Sequence, residues 1–164
     1  MPKLVILRGK PTSGKSTAFH NIKKTKKLKN WVLIDFPKIK DMFSEKDREL
    51  RKIALFAILK EVMKKKKNIL LEEMSEETIR KYINNYIKKY KYKIIVFQFE
   101  VKMKTAYKRN IQRARDKWHP YIKKRKLKDL HKMHDDRFDN QALLVDCNKL
   151  SKKQVVDLIL KKIK

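Results

Sequence analysis

The sequence predicts an α/β domain in three layers, a five-stranded parallel sheet with helices on both faces. Three observations carry that expectation. Short apolar runs and segments of helical spacing alternate five times along the chain. The first run, Leu4 to Leu7, is apolar without a break, as in a strand buried on both faces, and ends at a glycine. At 164 residues, 41% hydrophobic, the chain has the size and apolar content of one domain with a real core.

Each element has its own signal. After the first strand and its glycine-bearing loop, Ser16 to about Lys24 reads as a helix. A Lys-rich stretch leads to the second strand, Trp31 to Ile34, and Pro37 breaks that run. Ser44 with Asp47 is a capping-box-like start. It opens a long helix with Leu50, Ile53, Ala54, Ala57, Ile58 and Met63 as its apolar face. Lys64 to Lys67 puts cations at its negative end. Ile69 to Leu71 is the third strand. Ser75 caps a helix with the stripe Ile79, Tyr82, Ile83, Tyr86, Ile87 and Tyr90, whose spacing favours core packing over a base-stacking ladder. Lys93 to Val101 is the fourth strand. Lys102 to Lys128 reads as helical and very basic, with Pro120 its only break. Ala142 to Val145 is the fifth strand, and Ser151 with Gln154 starts the last helix. No repeat or linker interrupts this order, so residues 1–164 form a single domain.

Composition bounds the partners. Forty-six basic residues face 18 acidic ones, for a net charge of +28. A Lys/Ile/Asn-rich bias explains part of this, but Glu could have risen with Lys. The excess points to a polyanionic partner, an acidic surface or a field that keeps the chain in solution. The single cysteine, Cys147, excludes an intrachain disulfide, fits a reducing compartment and reads as a small apolar residue near the last strand. The N-terminus lacks signal-peptide architecture. The longest charge-free apolar run, Ile53 to Leu59, is too short to cross a bilayer. The expectation is a cytoplasmic protein without a membrane role.

One motif carries chemistry. Gly9-Lys-Pro11-Thr12-Ser13-Gly14-Lys15-Ser16 matches G-x-x-x-x-G-K-[ST] and lies between an apolar strand and a helix. The chain's only two glycines are the two that the motif requires. With this composition a chance match is expected on the order of 3 times in 10,000. Glycines let the backbone curl so that successive N–H groups point at phosphates, and the helix N-terminus adds partial positive charge. Lys15 then reaches the β- and γ-phosphates and the Ser16 hydroxyl ligates Mg²⁺, with Pro11, Thr12, Ser13 and Thr17 completing the loop. ATP and Mg²⁺ are the implied cofactors.

In the form Arg8-Gly9-Lys-Pro11-Thr-Ser13-Gly14-Lys15-Ser16-Thr17, this loop resembles that of the polynucleotide-kinase-like phosphotransferases. That group includes 5′-hydroxyl polynucleotide kinases, zeta-toxin-like kinases and antibiotic phosphotransferases. The resemblance implies a P-loop kinase fold with strand order 2-3-1-4-5 and a helical lid at about residues 102–133. Asp35 stands directly after the second strand, where the polynucleotide kinases carry their general base. Arg109-Asn110-Ile-Gln-Arg113 is similar to the R-N-x-x-R segment of their lid, and Leu143-Leu-Val-Asp146 to their final strand. The third strand departs from the group: it ends in Leu71-Glu72-Glu73 rather than in Asp, leaving Glu72 to hold a metal-bound water. No phosphatase half is present.

These residues also make chemical sense without the resemblance. A hydroxyl attacking a γ-phosphate needs a carboxylate such as Asp35 to orient it and take its proton, and strand ends are where such groups converge. The other reading of Asp35, a strand-end residue that caps the Pro37 turn, stands behind the functional one. Arg109 and Arg113 share a helix face, Arg115 lies close by, and guanidinium groups spread charge over transferring phosphoryl oxygens. Arg113 is the first choice for that role. His131-Lys-Met-His134-Asp135-Asp136 invites a metal reading, though two histidines beside carboxylates more often mark a helix end.

Segment 102–128 holds twelve Lys or Arg against one acid, Asp116, with Tyr107, Trp118 and Tyr121 among them and Phe138 beyond. Such a field suits the 5′-hydroxyl end of a nucleic acid, with an aromatic stacked on the terminal base. Two other readings stand beside it: a small-molecule kinase of the same fold, and an ATP-dependent nucleic-acid-binding ATPase. The sequence says nothing of oligomeric state.

Overall fold

A computed structural model describes residues 1–44, 46–72, 81–113, 121–133 and 142–163. The strands are β1 (Lys3–Gly9), β2 (Trp31–Asp35), β3 (Asn68–Glu72), β4 (Lys93–Glu100) and β5 (Leu143–Asp146). The helices are α1 (Lys15–Lys24), α2 (Phe36–Asp41), α3 (Arg48–Lys64), α4 (Asn84–Lys89), α5 (Met103–Arg113), α6 (Lys124–Met133) and α7 (Lys152–Ile163). All strand pairs are parallel, in the order β2-β3-β1-β4-β5. The expected fold class and strand order both hold.

Central β1 explains the layering. Leu4, Val5, Ile6 and Leu7 are all fully buried, and alternation sends them to opposite faces. Leu4 and Ile6 join Leu55, Leu59 and Met63 of α3 and Ile83 and Ile87 at α4. Val5 and Leu7 join Phe19 and Ile22 of α1 and Val156, Ile159 and Leu160 of α7. The loop after β1 therefore hangs over the face that carries α1 and α7.

Pro37 breaks the strand run as expected: β2 stops at Asp35, and Pro37 sits in the first turn of α2, where its missing N–H costs nothing. Three expectations need correction. The long helix starts at Arg48 rather than Ser44. Ser44 Oγ donates to Asp47 Oδ2, and the Asp47 side chain caps no helical N–H. Its core face is also different, except at Met63, which is buried as expected. Leu55, Phe56, Leu59 and Met63 are buried, whereas Leu50, Ile53 and Ile58 are 51%, 60% and 41% exposed. α3 is apolar almost all round, so spacing alone does not select the buried stripe. The helical reading of 102–128 also fails in its middle, where residues 121–123 are not helical. There the buried Asn110 side chain donates to the Ile122 carbonyl and accepts from the Ile122 N–H.

The tyrosine stripe packs as core where it is described: Tyr82 stacks on Phe56 at 4.4 Å, and Tyr86 and Tyr90 border the same cluster. Ser75 and Ile79 lie outside the described residues. The Ser151–Gln154 capping box forms as expected, Ser151 N–H to Gln154 Oε1 at 2.8 Å and Gln154 N–H to Ser151 Oγ at 3.3 Å.

With both glycines in one loop, other turns use lysine. Lys26, Lys66 and Lys91 follow the C-caps of α1, α3 and α4 and adopt φ of 54°, 50° and 53°. At the latter two the Schellman pattern is complete. Lys66 N–H bonds Met63 O and Lys67 N–H bonds Val62 O; Lys91 N–H bonds Lys88 O and Tyr92 N–H bonds Ile87 O.

Candidate active site

The loop from Gly9 to Gly14 turns the chain from β1 into α1, and backbone geometry explains its glycines. Gly9 has φ +144°, and a Cβ there would lie 2.3 Å from the Phe99 carbonyl oxygen of β4. Gly14 caps α1 at φ +103°. Lys15, almost fully buried, folds its ammonium into the loop and donates to Gly9 O at 2.7 Å and Lys10 O at 3.1 Å. Ser13 is 1% exposed, and its hydroxyl oxygen has no hydrogen-bond partner among the described residues. A buried orphan hydroxyl beside a buried ammonium fits a loop made for phosphate oxygens.

The loop lines a cleft of about 620 Å³, bounded also by His20, Glu72, Phe99, Arg109, Gln112, Arg113, Cys147, Lys152 and Val155. Two ends can be told apart by chemistry. At one end stand Ser16, Glu72 and Arg113. Ser16 Oγ donates to Glu72 Oε1 at 2.5 Å, and Glu72 is 1% exposed. Burial pushes the Arg113 guanidinium below its usual value, and the Glu72 carboxylate partly offsets that shift. A hydroxyl and a carboxylate are hard oxygen donors, so this pair fits Mg²⁺. At the other end Phe99, Cys147 and Val155 offer apolar surface. Burial pushes the Cys147 thiol up to about 11, so it stays neutral there.

Arg109 and Arg113 both line the cleft, yet their roles differ. Arg109 donates to Thr12 O (3.4 Å), Ser13 O (3.2 Å) and Cys147 O (2.8 Å). It ties the loop to the turn after β5. From α6, buried His131 approaches Pro11 O through Nε2 at 3.1 Å. That contact makes His131 a brace of the loop. His134, Asp135 and Asp136 lie outside the described residues, among which no cluster of three metal-ligating side chains occurs.

The zeta toxin family model matches residues 1–159. The chain belongs to the zeta toxin family. No curated protein matches it. Among solved structures, this zeta toxin family member is similar to a candidate kinase from Chloroflexus aurantiacus, at 15% identity, TM-score 0.74 and 99% coverage of both chains. A gluconokinase from Sinorhizobium meliloti matches at 14% identity, TM-score 0.65, over 98% of this chain and 90% of that one. The Pnkp1/Rnl/Hen1 RNA repair complex matches at 22% identity and TM-score 0.67, over 85% of this chain and 47% of that one. At such identities the likeness concerns the fold, which is that of a kinase-like P-loop phosphotransferase.

In this zeta toxin family member Asp35 sits at the end of β2 in register with Glu72 of β3. It caps α2, accepting from Lys38 N–H at Oδ1 (3.3 Å), and its Oδ2 lies 3.2 Å from His20 Nε2. Asp35 is not among the residues that line the cleft, whereas His20 is. Reading the sequence missed His20, Gln112, Phe99 and Lys152. Only His20 had a usable signal, since it stands four residues after Ser16 and so one helical turn along the same face. Arg115, Trp118 and Phe138 lie outside the described residues. Tyr107 has the Lys124 ammonium 5.2 Å from its ring centroid, and Tyr121 is exposed. Among the described residues no helix is long and apolar enough to cross a membrane.

Proposed function

We propose that the chain is an ATP-dependent kinase that phosphorylates the 5′-hydroxyl end of a nucleic acid. The observation that carries the kinase half is the convergence on one cleft of the Lys15-bearing loop, the Ser16–Glu72 oxygen pair and Arg113. The triphosphate lies in the loop with Lys15 across its outer oxygens, and the base rests toward Phe99, Cys147 and Val155. Ser16 and Glu72 hold Mg²⁺, which when bound neutralises charge on the phosphate oxygens. The acceptor hydroxyl attacks the γ-phosphorus, the bond to the β–γ bridging oxygen breaks, and ADP leaves. Asp35 takes the hydroxyl proton, and Arg113 faces the charge that spreads over the transferring oxygens.

The nucleic-acid half rests on α5 and α6. Lys123, Lys124, Arg125, Lys126 and Lys128 are exposed along or beside α6, and Tyr121 is exposed next to them. A cationic face with an accessible ring beside a phosphoryl-transfer cleft suits a polyanion bearing bases. A small hydroxyl acceptor is the second reading, favoured by the similarity to a gluconokinase and to a deoxyadenosine kinase. The deciding experiment is a γ-phosphate transfer screen with radiolabelled ATP. It compares 5′-OH DNA, 5′-OH RNA, nucleosides, sugars and no acceptor. Transfer to oligonucleotide ends supports the proposal; transfer confined to small acceptors replaces its substrate; turnover independent of any acceptor makes the chain an ATPase.

A further inference from the structure

Four side chains near the cleft form a ladder between α1 and the sheet. Ser16 and His20 stand one turn apart on α1. Opposite them, Glu72 and Asp35 are register partners on β3 and β2. One rung is Ser16 Oγ to Glu72 Oε1 at 2.5 Å, and the other is His20 Nε2 to Asp35 Oδ2 at 3.2 Å. The rungs are joined, because His20 Nδ1 lies 2.7 Å from the Ser16 carbonyl oxygen. The Phe19 ring meets the imidazole nearly at right angles, with centroids 5.7 Å apart.

Both ring nitrogens face partners within the protein, Nδ1 the Ser16 carbonyl and Nε2 the Asp35 carboxylate, so the imidazole is held in place and in turn fixes a carboxylate. Asp35 is gripped at Oδ1 by the start of α2 and at Oδ2 by His20, so neither oxygen is free to swing toward the neighbouring Glu72.

We infer that His20 is a positioning residue: it holds Asp35 at a set distance from the Ser16–Glu72 metal pair, so that one carboxylate serves the proton and the other the cation. The inference rests on the kinase reading above and deepens it. Two adjacent carboxylates beside a cation-binding hydroxyl would otherwise compete for the same ion. The His20–Asp35 rung keeps Asp35 out of that competition, and the link to the Ser16 carbonyl carries its position to the end of the phosphate loop.

Kinetics and calorimetry on the full chain test this. In kinetics with the best acceptor from the screen, His20→Ala lowers kcat by about 10- to 100-fold while nucleotide affinity by calorimetry stays within about threefold. The same change made in Asp35→Asn costs less than about twofold, since the two residues act as one unit. His20→Arg, which still donates to Asp35, recovers part of kcat. A kcat loss that is additive with Asp35→Asn overturns the inference, as does a His20→Ala enzyme with wild-type kcat. Should the wild type bind nucleotide while no acceptor is phosphorylated at all, the kinase reading fails instead, and the positioning role with it.

Discussion

Lys15 and Asp35 bear the most specific expectations at the scale of single residues. Lys15→Met is expected to abolish nucleotide binding in calorimetry, since it removes the ammonium that folds into the loop against Gly9 O and Lys10 O. Asp35→Asn is expected to cut transfer by about 10²- to 10⁴-fold while leaving nucleotide affinity intact; near-normal turnover would remove Asp35 from the mechanism. Cys147 makes a different prediction. Its thiol is neutral until about pH 11, because burial disfavours the thiolate. At pH 8 alkylation of the folded protein should be at least about 100-fold slower than that of the unfolded chain. The unfolded thiol ionises from a pKa of 9.0. Stability from this group is therefore intact below pH 9 and lost as pH rises toward 11, where the unfolded state releases its proton first. The loop was legible in the sequence because its spacing and composition are unusual. His20 was legible only in part: its spacing from Ser16 puts it on the same helix face, but its partner Asp35 arrives on a strand fifteen residues later, and nothing local marks that meeting.

Elements were legible where local chemistry and packing agree. The Ser151–Gln154 cap and the apolar run of β1 are such cases. α3 is the counterexample: with apolar residues on nearly every face, only the sheet decides which side is buried. Leu59→Ala should cost about 2–5 kcal/mol in chemical denaturation, whereas Ile53→Ala, at an exposed site, should stay within about 0.5 kcal/mol. Equal effects would mean that the helix is rotated. The helix ends offer the opposite kind of change. Lys66 and Lys91 hold a left-handed conformation that strains a side-chain-bearing residue by about 1–2 kcal/mol. Lys66→Gly and Lys91→Gly should each stabilise by about 0.5–1 kcal/mol, the gain being reduced by the extra freedom of glycine in the unfolded chain. Gly9→Ala should do the reverse and destabilise by at least about 2 kcal/mol, because the new methyl meets the β4 backbone.

For the whole molecule the net charge of +28 sets the behaviour toward polyanions. If the acceptor is an oligonucleotide, kcat/KM should fall by about tenfold or more between 50 and 200 mM salt, as released counterions no longer favour the complex. A neutral small acceptor would show a shallow slope. Strand order was available only through resemblance, since periodicity reveals that strands exist and not which neighbours they choose. The basic segment's charge was plain from composition, but its architecture was not. The seal made by Asn110 around Ile122 and the reach of His131 to Pro11 join residues far apart in the chain.

That reach, with the two bonds from Arg109 to Thr12 O and Ser13 O, means that the loop takes its shape from outside as well as from its own glycines, three of its carbonyls being moored to α5 and α6. Any tilting of those two helices pulls directly on the moorings, so the nucleotide dissociation rate is expected to report helix posture.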